Sequence, residues 1–282
     1  ISDETLSNTV TVTSSTTYYV TLSAVPDGST VLPTDDIQIW LNCADIWDKT
    51  YTTLNEVLSD TVTLTTLIAD NNAVDYMVRS TTWASGVCAD SNAMTYIGLN
   101  NYASNTLLAD STWCNAICNS AYFESVLNVK VPTMTSNTTP SGVCSADSEY
   151  GGIYQAWKAF DGTNSSESDS WYHYGNQVGW IQYRFTSSVR VAKFWMRARN
   201  YGGSQPLNPK NFSIKGSNDG VTYTTIQSYT DVIMSANEAL SFVMPISADY
   251  IYYKMDITAS NCPINSQNIA IGQLQFYGRK DI

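Results

Sequence analysis

Between residues 58 and 127 the sequence repeats every ten residues, and no other feature limits its fold as tightly. In register the seven units are LSDTVTLTTL, IADNNAVDYM, VRSTTWASGV, CADSNAMTYI, GLNNYASNTL, LADSTWCNAI and CNSAYFESVL. Their third position is Asp60, Asp70, Ser80, Asp90, Asn100, Asp110 and Ser120. These are types whose side-chain oxygen accepts from an unpaired N–H at the start of a helix. Their tenth position is Leu67, Met77, Val87, Ile97, Leu107, Ile117 and Leu127, apolar without exception. The pattern predicts a cap, about two helical turns and an apolar closing pair in every unit. A helix that short does not hold alone, because its nucleation is costly. Its apolar edges must be buried on neighbouring units or on other copies of the chain. Ten residues fit neither the seven- nor the eleven-residue repeat, which argues against a coiled coil. An irregular helical bundle with accidental register is the other reading.

The flanks differ. Residues 1–55 read as a β assembly region, with TVTVTSSTTYYVTLSAV alternating, Pro26-Asp27-Gly28 marking a turn and IQIWL as a second strand candidate. Residues 56–130 hold the short-helix repeat, which reads as a spacer and oligomerisation element. Residues 128–139 (NVKVPTMTSNTT) are polar, contain Pro132 and read as a linker or first edge strand, with 131–139 as the linker. From 140 to 282 the chain shows short strands separated by turns: VGWIQYRF, VRVAKFWMRARN, KNFSIKGS, VTYTTIQSY, YIYYKMDITA and IGQLQFYG. Ser217-Asn218-Asp219-Gly220 is a hairpin signal between two of them. Strands at this spacing predict a β-sandwich or jelly roll. The fold class expected is therefore multidomain: an N-terminal β segment, a repeat of short capped α-helices and a C-terminal β-sandwich.

Composition removes several functions. The 14 Lys and Arg against 25 Asp and Glu leave a net charge of −11. A nucleic-acid partner is not expected, since phosphate binding needs dense positive charge. No apolar run approaches the roughly 18 residues of a membrane span. Only one histidine is present, so Ser-His-Asp or Cys-His chemistry would depend on His173 alone. The acidic residues are scattered, with no pair placed for glycosidase work. The six cysteines are too sparse for a disulfide framework, and Cys114 with Cys118 shares one helix face without further metal ligands nearby. The chain opens on Ile1, and ISDETLSNTV has neither a basic start nor an apolar core. It reads as a processed product or part of something longer, without a signal peptide.

The C-terminal half carries four ordered motifs: Ala156-Trp157-Lys158-Ala159-Phe160-Asp161-Gly162 with Ser170-Trp171, then Trp180-Ile181-Gln182-Tyr183-Arg184-Phe185, the hairpin from Asn211 to Gly220, and Ile271-Gly272-Gln273-Leu274-Gln275-Phe276-Tyr277-Gly278. Together they resemble the discoidin, coagulation factor C-type and family 32 carbohydrate-binding domains, the galactose-binding-like jelly roll. The short-helix repeat is similar, less specifically, to segments of bacteriophage tail and fibre proteins.

The resemblance implies a structural Ca²⁺ beside the Asp161-Gly162 turn, held by Asp161, Asp169, Gln273 and carbonyls near Lys158 and Thr163. Gln273 stands where the family commonly has Glu, which removes one charge from the set. It also implies a sugar site on loops at one end of the sandwich, drawn from Tyr172, His173, Tyr174, Arg197, Arg199, Asn200, Tyr201, Asn261 and Asn265. Trp171 and Trp195 read as core residues. A family disulfide would join Cys144 to Cys262. The function expected is a non-catalytic virion surface protein, a tail fibre or capsid decoration, presenting a glycan-binding head and contacting other virion proteins. A secreted or cell-surface adhesin, an accessory part of a glycoside hydrolase and a purely structural virion protein are the alternatives. Apolar edges left open along the repeat lead to the expectation of a homo-oligomer, by analogy a trimer, with residues 140–282 as independent heads.

Overall fold

The computed structural model describes residues 33–201, 207–244, 248–262 and 267–281. The first part of the chain is a run of short helices: α1 (Pro33–Cys43), α2 (Leu54–Ser59), α3 (Thr61–Ala69), α4 (Asn71–Arg79), α5 (Ala84–Ala89), α6 (Ser91–Leu99), α7 (Asn101–Ala109), α8 (Ser111–Asn119) and α9 (Phe123–Val126). From α2 to α8 one residue commonly ends one helix and starts the next. Asp70 is extended, gives its N–H to the Thr66 carbonyl of α3, and accepts from Ala73 N at 2.9 Å to open α4. Asp90, Asn100 and Asp110 repeat the arrangement, accepting from Ala93 N, Ala103 N and Trp113 N at 2.8, 2.9 and 3.0 Å. Ser80 makes no side-chain cap, and there the chain enters a 3-10 turn, Thr81–Trp83, before α5. Ser120 caps no full helix either; it accepts from Tyr122 N at 3.0 Å.

Each single-residue break redirects the chain, so that a helix packs on the third one after it: α1 on α4, α2 on α5, α3 on α6, α4 on α7, α5 on α8 and α6 on α9. The result is a three-sided solenoid, with one turn every thirty residues or so. Successive turns are tied by polar bonds. Asn100 Nδ2 donates to Ile68 O at 2.9 Å, Ser120 Oγ to Cys88 O at 2.6 Å and Trp113 Nε1 to Val78 O at 3.1 Å. An Asp cap cannot donate, which gives Asn and Ser at these two caps a second task.

The winding changes one expectation. Leu67, Met77, Val87, Ile97, Leu107 and Ile117 are fully buried within the single chain, and Leu127 nearly so. Among the described residues these positions leave no open apolar edge to call for an oligomer, because packing within the chain covers them. A second expectation is also corrected. IQIWL is not a strand but lies in α1, where Ile37, Trp40 and Leu41 are buried at i, i+3 and i+4. The TVTVTSSTTYYVTLSAV stretch lies outside the described residues.

The second part is a β-sandwich of β1 (Val129–Lys130), β2 (Val143–Ala146), β3 (Trp171–Tyr174), β4 (Gly179–Arg197), β5 (Pro209–Ser217), β6 (Thr224–Tyr229), β7 (Ala239–Val243), β8 (Tyr250–Ser260), β9 (Asn268–Ile271) and β10 (Gln273–Arg279). All pairings are antiparallel. The two segments VGWIQYRF and VRVAKFWMRARN form one long strand, β4, irregular between Arg184 and Val189. Its first half pairs with β2 and β8, and its second half with β10 and β7, so β4 joins both faces of the sandwich. Ile181, Tyr183, Phe194, Met196, Phe212, Ile214, Tyr253, Met255 and Phe276 fill the space between. The hairpin read at Ser217–Gly220 joins β5 to β6, with Gly220 at φ +73°.

Residues 131–139 are not a linker. Val131 and Met134 are buried, with Val131 N donating to Phe276 O at 3.2 Å and Met134 N to Phe160 O at 2.9 Å. Nor does the sandwich stand apart as an independent head. Arg279 is buried at the end of the solenoid, donating to Gly98 O at 2.8 Å, Val126 O at 3.3 Å and Asn101 Oδ1 at 2.6 Å. Lys193 donates to Cys118 O and lies 4.0 Å over the Phe123 ring. Two cations from the sandwich thus cover carbonyls near the C-terminal ends of α6, α8 and α9, where the helix dipole favours positive charge.

Two substitutions test this packing. A Cβ at Gly98 would stand 1.9 Å from Ser125 O, so Gly98→Ala should destabilise the chain by about 1–3 kcal/mol in urea denaturation. Arg279→Met removes charged donors from two buried carbonyls and the half-buried Asn101 Oδ1 and should cost about 1.5–3 kcal/mol. An unchanged midpoint in either variant would contradict the described contact.

Candidate functional site

At one end of the sandwich a group of tyrosines forms an open cleft of about 320 Å³, lined by Tyr150, Tyr154, Tyr172, Tyr174, Tyr201, Glu167, Arg199 and Leu207. Strand alternation supplies part of it. In β3, Trp171 and His173 turn into the protein while Tyr172 and Tyr174 turn outward. Tyr150 and Tyr154 flank Gly151-Gly152, and the left-handed Gly151 (φ +65°) lets the chain double back into an isolated bridge between the two tyrosines. Tyr150 N donates to Tyr172 O at 2.9 Å and Tyr172 N to Tyr154 O at 3.4 Å, which locks this turn to β3. Ring centroids then lie 4.9 Å apart for Tyr150 and Tyr174, 5.6 Å for Tyr150 and Tyr172, and 5.4 Å for Tyr154 and Tyr172.

Arg199, just beyond β4, enters this cluster with its guanidinium 4.9 Å from the Tyr172 ring, 5.3 Å from Tyr154 and 5.6 Å from Tyr201. Its Nε donates to Glu167 O at 2.8 Å, and its Nη2 lies 3.4 Å from Tyr154 Oη and 3.5 Å from Glu167 Oε2. The guanidinium is held from one side and stacked from others, a fixed donor in an aromatic cup. Burial pushes the Tyr172 hydroxyl above its ordinary value, so it remains protonated and able to donate at neutral pH. Flat aromatic faces, fixed donors and one half-exposed carboxylate, Glu167, suit a polyhydroxylated ring with an apolar face.

Of the residues singled out from sequence, Tyr172, Tyr174, Arg199 and Tyr201 come together here. Asn200 lies behind the cleft, donating to Asn164 O at 3.1 Å and Ser165 O at 3.0 Å. His173 is on the wrong face of β3; it is buried, edge-on to Trp171, with Nε2 3.7 Å from Asp147 Oδ2. Arg197 lies over the half-buried Trp195, 5.8 Å from its ring, and does not line the cleft. Asn261 donates to Val232 O at 2.6 Å, tying the segment after β8 to the segment after β6, and does not line the cleft. Asn265 lies outside the described residues. Trp171 is fully buried, as a core residue. Tyr150, Tyr154, Glu167 and Leu207 were not singled out. The Y-G-G-x-Y spacing of the first two was a usable signal, two aromatics around a flexible turn, whereas Glu167 is hidden in a polar Ser-rich loop. Cys144, buried in β2, is a thiol and forms no bridge to Cys262.

The Asp161-Gly162 turn does not fit calcium. Lys158 O, Asp161 Oδ1 and Thr163 O converge on one point, but that point is Gln273 Nε2, which donates to the first two at 3.0 and 2.9 Å and to Thr163 O as well. Gln273 Oε1 is turned the other way and accepts from Gly162 N at 2.8 Å. Lys158 Nζ already opposes Asp161 Oδ2 at 3.4 Å and Asp169 Oδ1 at 3.9 Å. Asp169 Oδ2 is taken by Ser165 N and Ser166 N, both at 3.1 Å. Three oxygens, one of them from a carboxylate already opposed by Lys158, fall short of the six or more hard ligands calcium takes. Among the described residues no group of His, Cys, Asp and Glu could hold a metal.

No curated protein matches the chain. Among solved structures it is similar to a family 32 carbohydrate-binding module of Clostridium perfringens in complex with GalNAc-β-1,3-galactose, at 16% identity and a TM-score of 0.41 over 48% of this chain and 94% of that one. The family 32 module of EndoD from Streptococcus pneumoniae gives 16% identity and a TM-score of 0.41 over 51% of this chain and 100% of that one. A chitosan-binding module from Paenibacillus sp. IK-5 gives 20% identity and a TM-score of 0.40 over 51% and 99%. Residues 140–268 match the F5/8 type C domain, and this segment falls in that family of discoidin-like, galactose-binding-like β-sandwiches, with the helical solenoid outside the match.

Proposed function

We propose that this chain is a non-catalytic surface protein whose tyrosine cleft binds a glycan. The observation that carries the reading is the placement of Arg199, held by Glu167 and stacked among Tyr154, Tyr172 and Tyr201 at the mouth-end of an F5/8 type C sandwich. The ring of a pyranose would lie on the exposed faces of Tyr150 or Tyr174, with its hydroxyls bonded to Arg199, Glu167 and the tyrosine hydroxyls. Among the described residues Glu167 is the single carboxylate lining the cleft, so these residues do not assemble the pair that glycoside hydrolysis requires. That supports attachment over cleavage.

For the setting, we propose a virion surface, as tail fibre or capsid decoration, on the strength of the resemblance of the ten-residue repeat to phage fibre segments. Other virion proteins would then be its partners, with a secreted adhesin as the alternative setting. A homo-oligomer remains part of this proposal. With the solenoid edges closed, its support is the alternating, β-branched sequence ahead of residue 30.

A glycan array with the full chain tests the binding reading. Tyr174 is 62% exposed, so Tyr174→Ala should leave the unfolding midpoint in place while weakening the best array ligand about tenfold or more. Arg199→Lys, which loses the planar stacked fork, should weaken it similarly. His173→Gln should leave affinity unchanged. Absence of binding across the array, or affinity that survives in both cleft variants, would overturn the proposal.

A further inference from the structure

The Asp161-Gly162 turn has the form of an ion cage, and a side chain already stands at its centre. We infer that the Gln273 carboxamide, with the Lys158 ammonium beside it, takes the place of a cation, so that the sandwich and its cleft are set without metal. Three oxygens from one short stretch, Lys158 O, Asp161 Oδ1 and Thr163 O, face a single nitrogen and share its two N–H groups. The carboxamide's other end accepts from Gly162 N, so both ends of the group are used and its orientation follows from the chemistry around it. Gln273 is 3% exposed and opens β10, which pairs with β4 along its length. The donor is therefore fixed to a largely buried strand of the sandwich and not to a loop.

Charge points the same way. The one carboxylate that reaches the centre, Asp161, is answered by Lys158 at 3.4 Å, so a divalent cation entering there would meet an ammonium. A Glu at 273 would instead bring a second carboxylate to the same three oxygens, and the site would then lack donors and hold excess negative charge. One atom, nitrogen or oxygen, separates a self-satisfied latch from a cation site.

The latch reaches the cleft through the loop it starts. Asn164 Oδ1 accepts from Asn200 N at 3.2 Å, and Asn164 Nδ2 donates to Ala198 O at 3.1 Å, an approach that Gly272 allows because a Cβ there would stand 2.4 Å from Asn164 Oδ1. Asp169 then closes the loop on Ser165 and Ser166, and Glu167, between them, offers the carbonyl that fixes Arg199. Gln273 is thus a positioning residue for the cleft. This last link rests on the proposed glycan reading; the metal-free latch does not.

Thermal unfolding with and without calcium tests the latch on ligand-free protein, so failure here is distinguishable from failure of the glycan reading. The wild-type chain should unfold at the same temperature in EDTA and in about 5 mM CaCl₂, and should retain no stoichiometric calcium after desalting. Gln273→Glu should unfold earlier than wild type in EDTA, and calcium should raise its Tm saturably, by roughly 5 °C or more at a hundredfold excess over Kd. A saturable rise in wild-type Tm, one calcium bound per chain, or a folded Gln273→Glu variant that ignores calcium would overturn the inference. The wild-type titration decides by itself should that variant fail to fold.

Discussion

A single side-chain oxygen, accepting the first unpaired N–H of a helix, is what the solenoid depends on. Ending a helix after nine residues exposes carbonyls and N–H groups at every break, and seven breaks in seventy residues would be costly in any chain without local partners. Asp70, Asp90, Asn100 and Asp110 meet that cost within one extended residue each. Because the break is so short, the next helix starts at once in a new direction, and the third one returns to lie on the first. Apolar residues at the third, fourth, seventh and eighth positions after the cap then all face inward, as in Trp113, Cys114, Ile117 and Cys118 of α8. The core is made by the winding, and the winding is made by the caps.

The same unpaired groups explain how the two parts of the chain join. A solenoid must end somewhere, and its last helices present carbonyls with no further turn to cover them. Arg279 and Lys193 come from the sandwich to carbonyls of α8 and α9 and to Gly98 O of α6 beneath them, and burial lowers the proton affinity of both side chains while their hydrogen bonds hold them in place. In a chain with only 14 Lys and Arg, two are spent inside this contact. Phe123 against Tyr277, edge to face at 5.1 Å, seals the join. The sandwich serves as the cap of the solenoid, and the cleft is presented from a body that includes both.

The local rules of this fold were legible in the sequence, and its long-range geometry was not. The caps at Asp60, Asp70, Asp90, Asn100 and Asp110 and the buried tenth positions followed from residue type alone, as did the Asp219-Gly220 hairpin, whereas Ser80 and Ser120, of the same residue types, cap no α-helix. What a ten-residue period does not state is how far each break turns the chain, so it gave no warning that helix and third neighbour would meet. IQIWL alternates and also carries i, i+3, i+4, and only its packing against α4 settles the helix. In the cleft, Arg199 was singled out by an approximate match to a family pattern, and Tyr172 by the concentration of aromatic and polar types around it. His173 followed the same pattern but sits on the opposite face of a strand, a one-residue matter of register. Tyr150 and Tyr154 needed a tertiary turn to come together. The exchange at residue 273 was visible as a Gln in place of Glu, but its meaning lies in three carbonyl and carboxyl oxygens from residues more than a hundred positions away.

The account comes to a head in the cleft, where the solenoid-backed sandwich, the latch at Gln273 and the tyrosine cluster all bear on one arginine. A crystal structure of the full chain with a bound oligosaccharide tests it most directly. The account predicts a sugar ring against Tyr150 or Tyr174 with a hydroxyl within hydrogen-bond distance of Arg199 or Glu167. A sugar seated elsewhere, for example on the outer sheet face where Lys254 lies between Trp180 and Tyr223, with the cleft untouched, would contradict it.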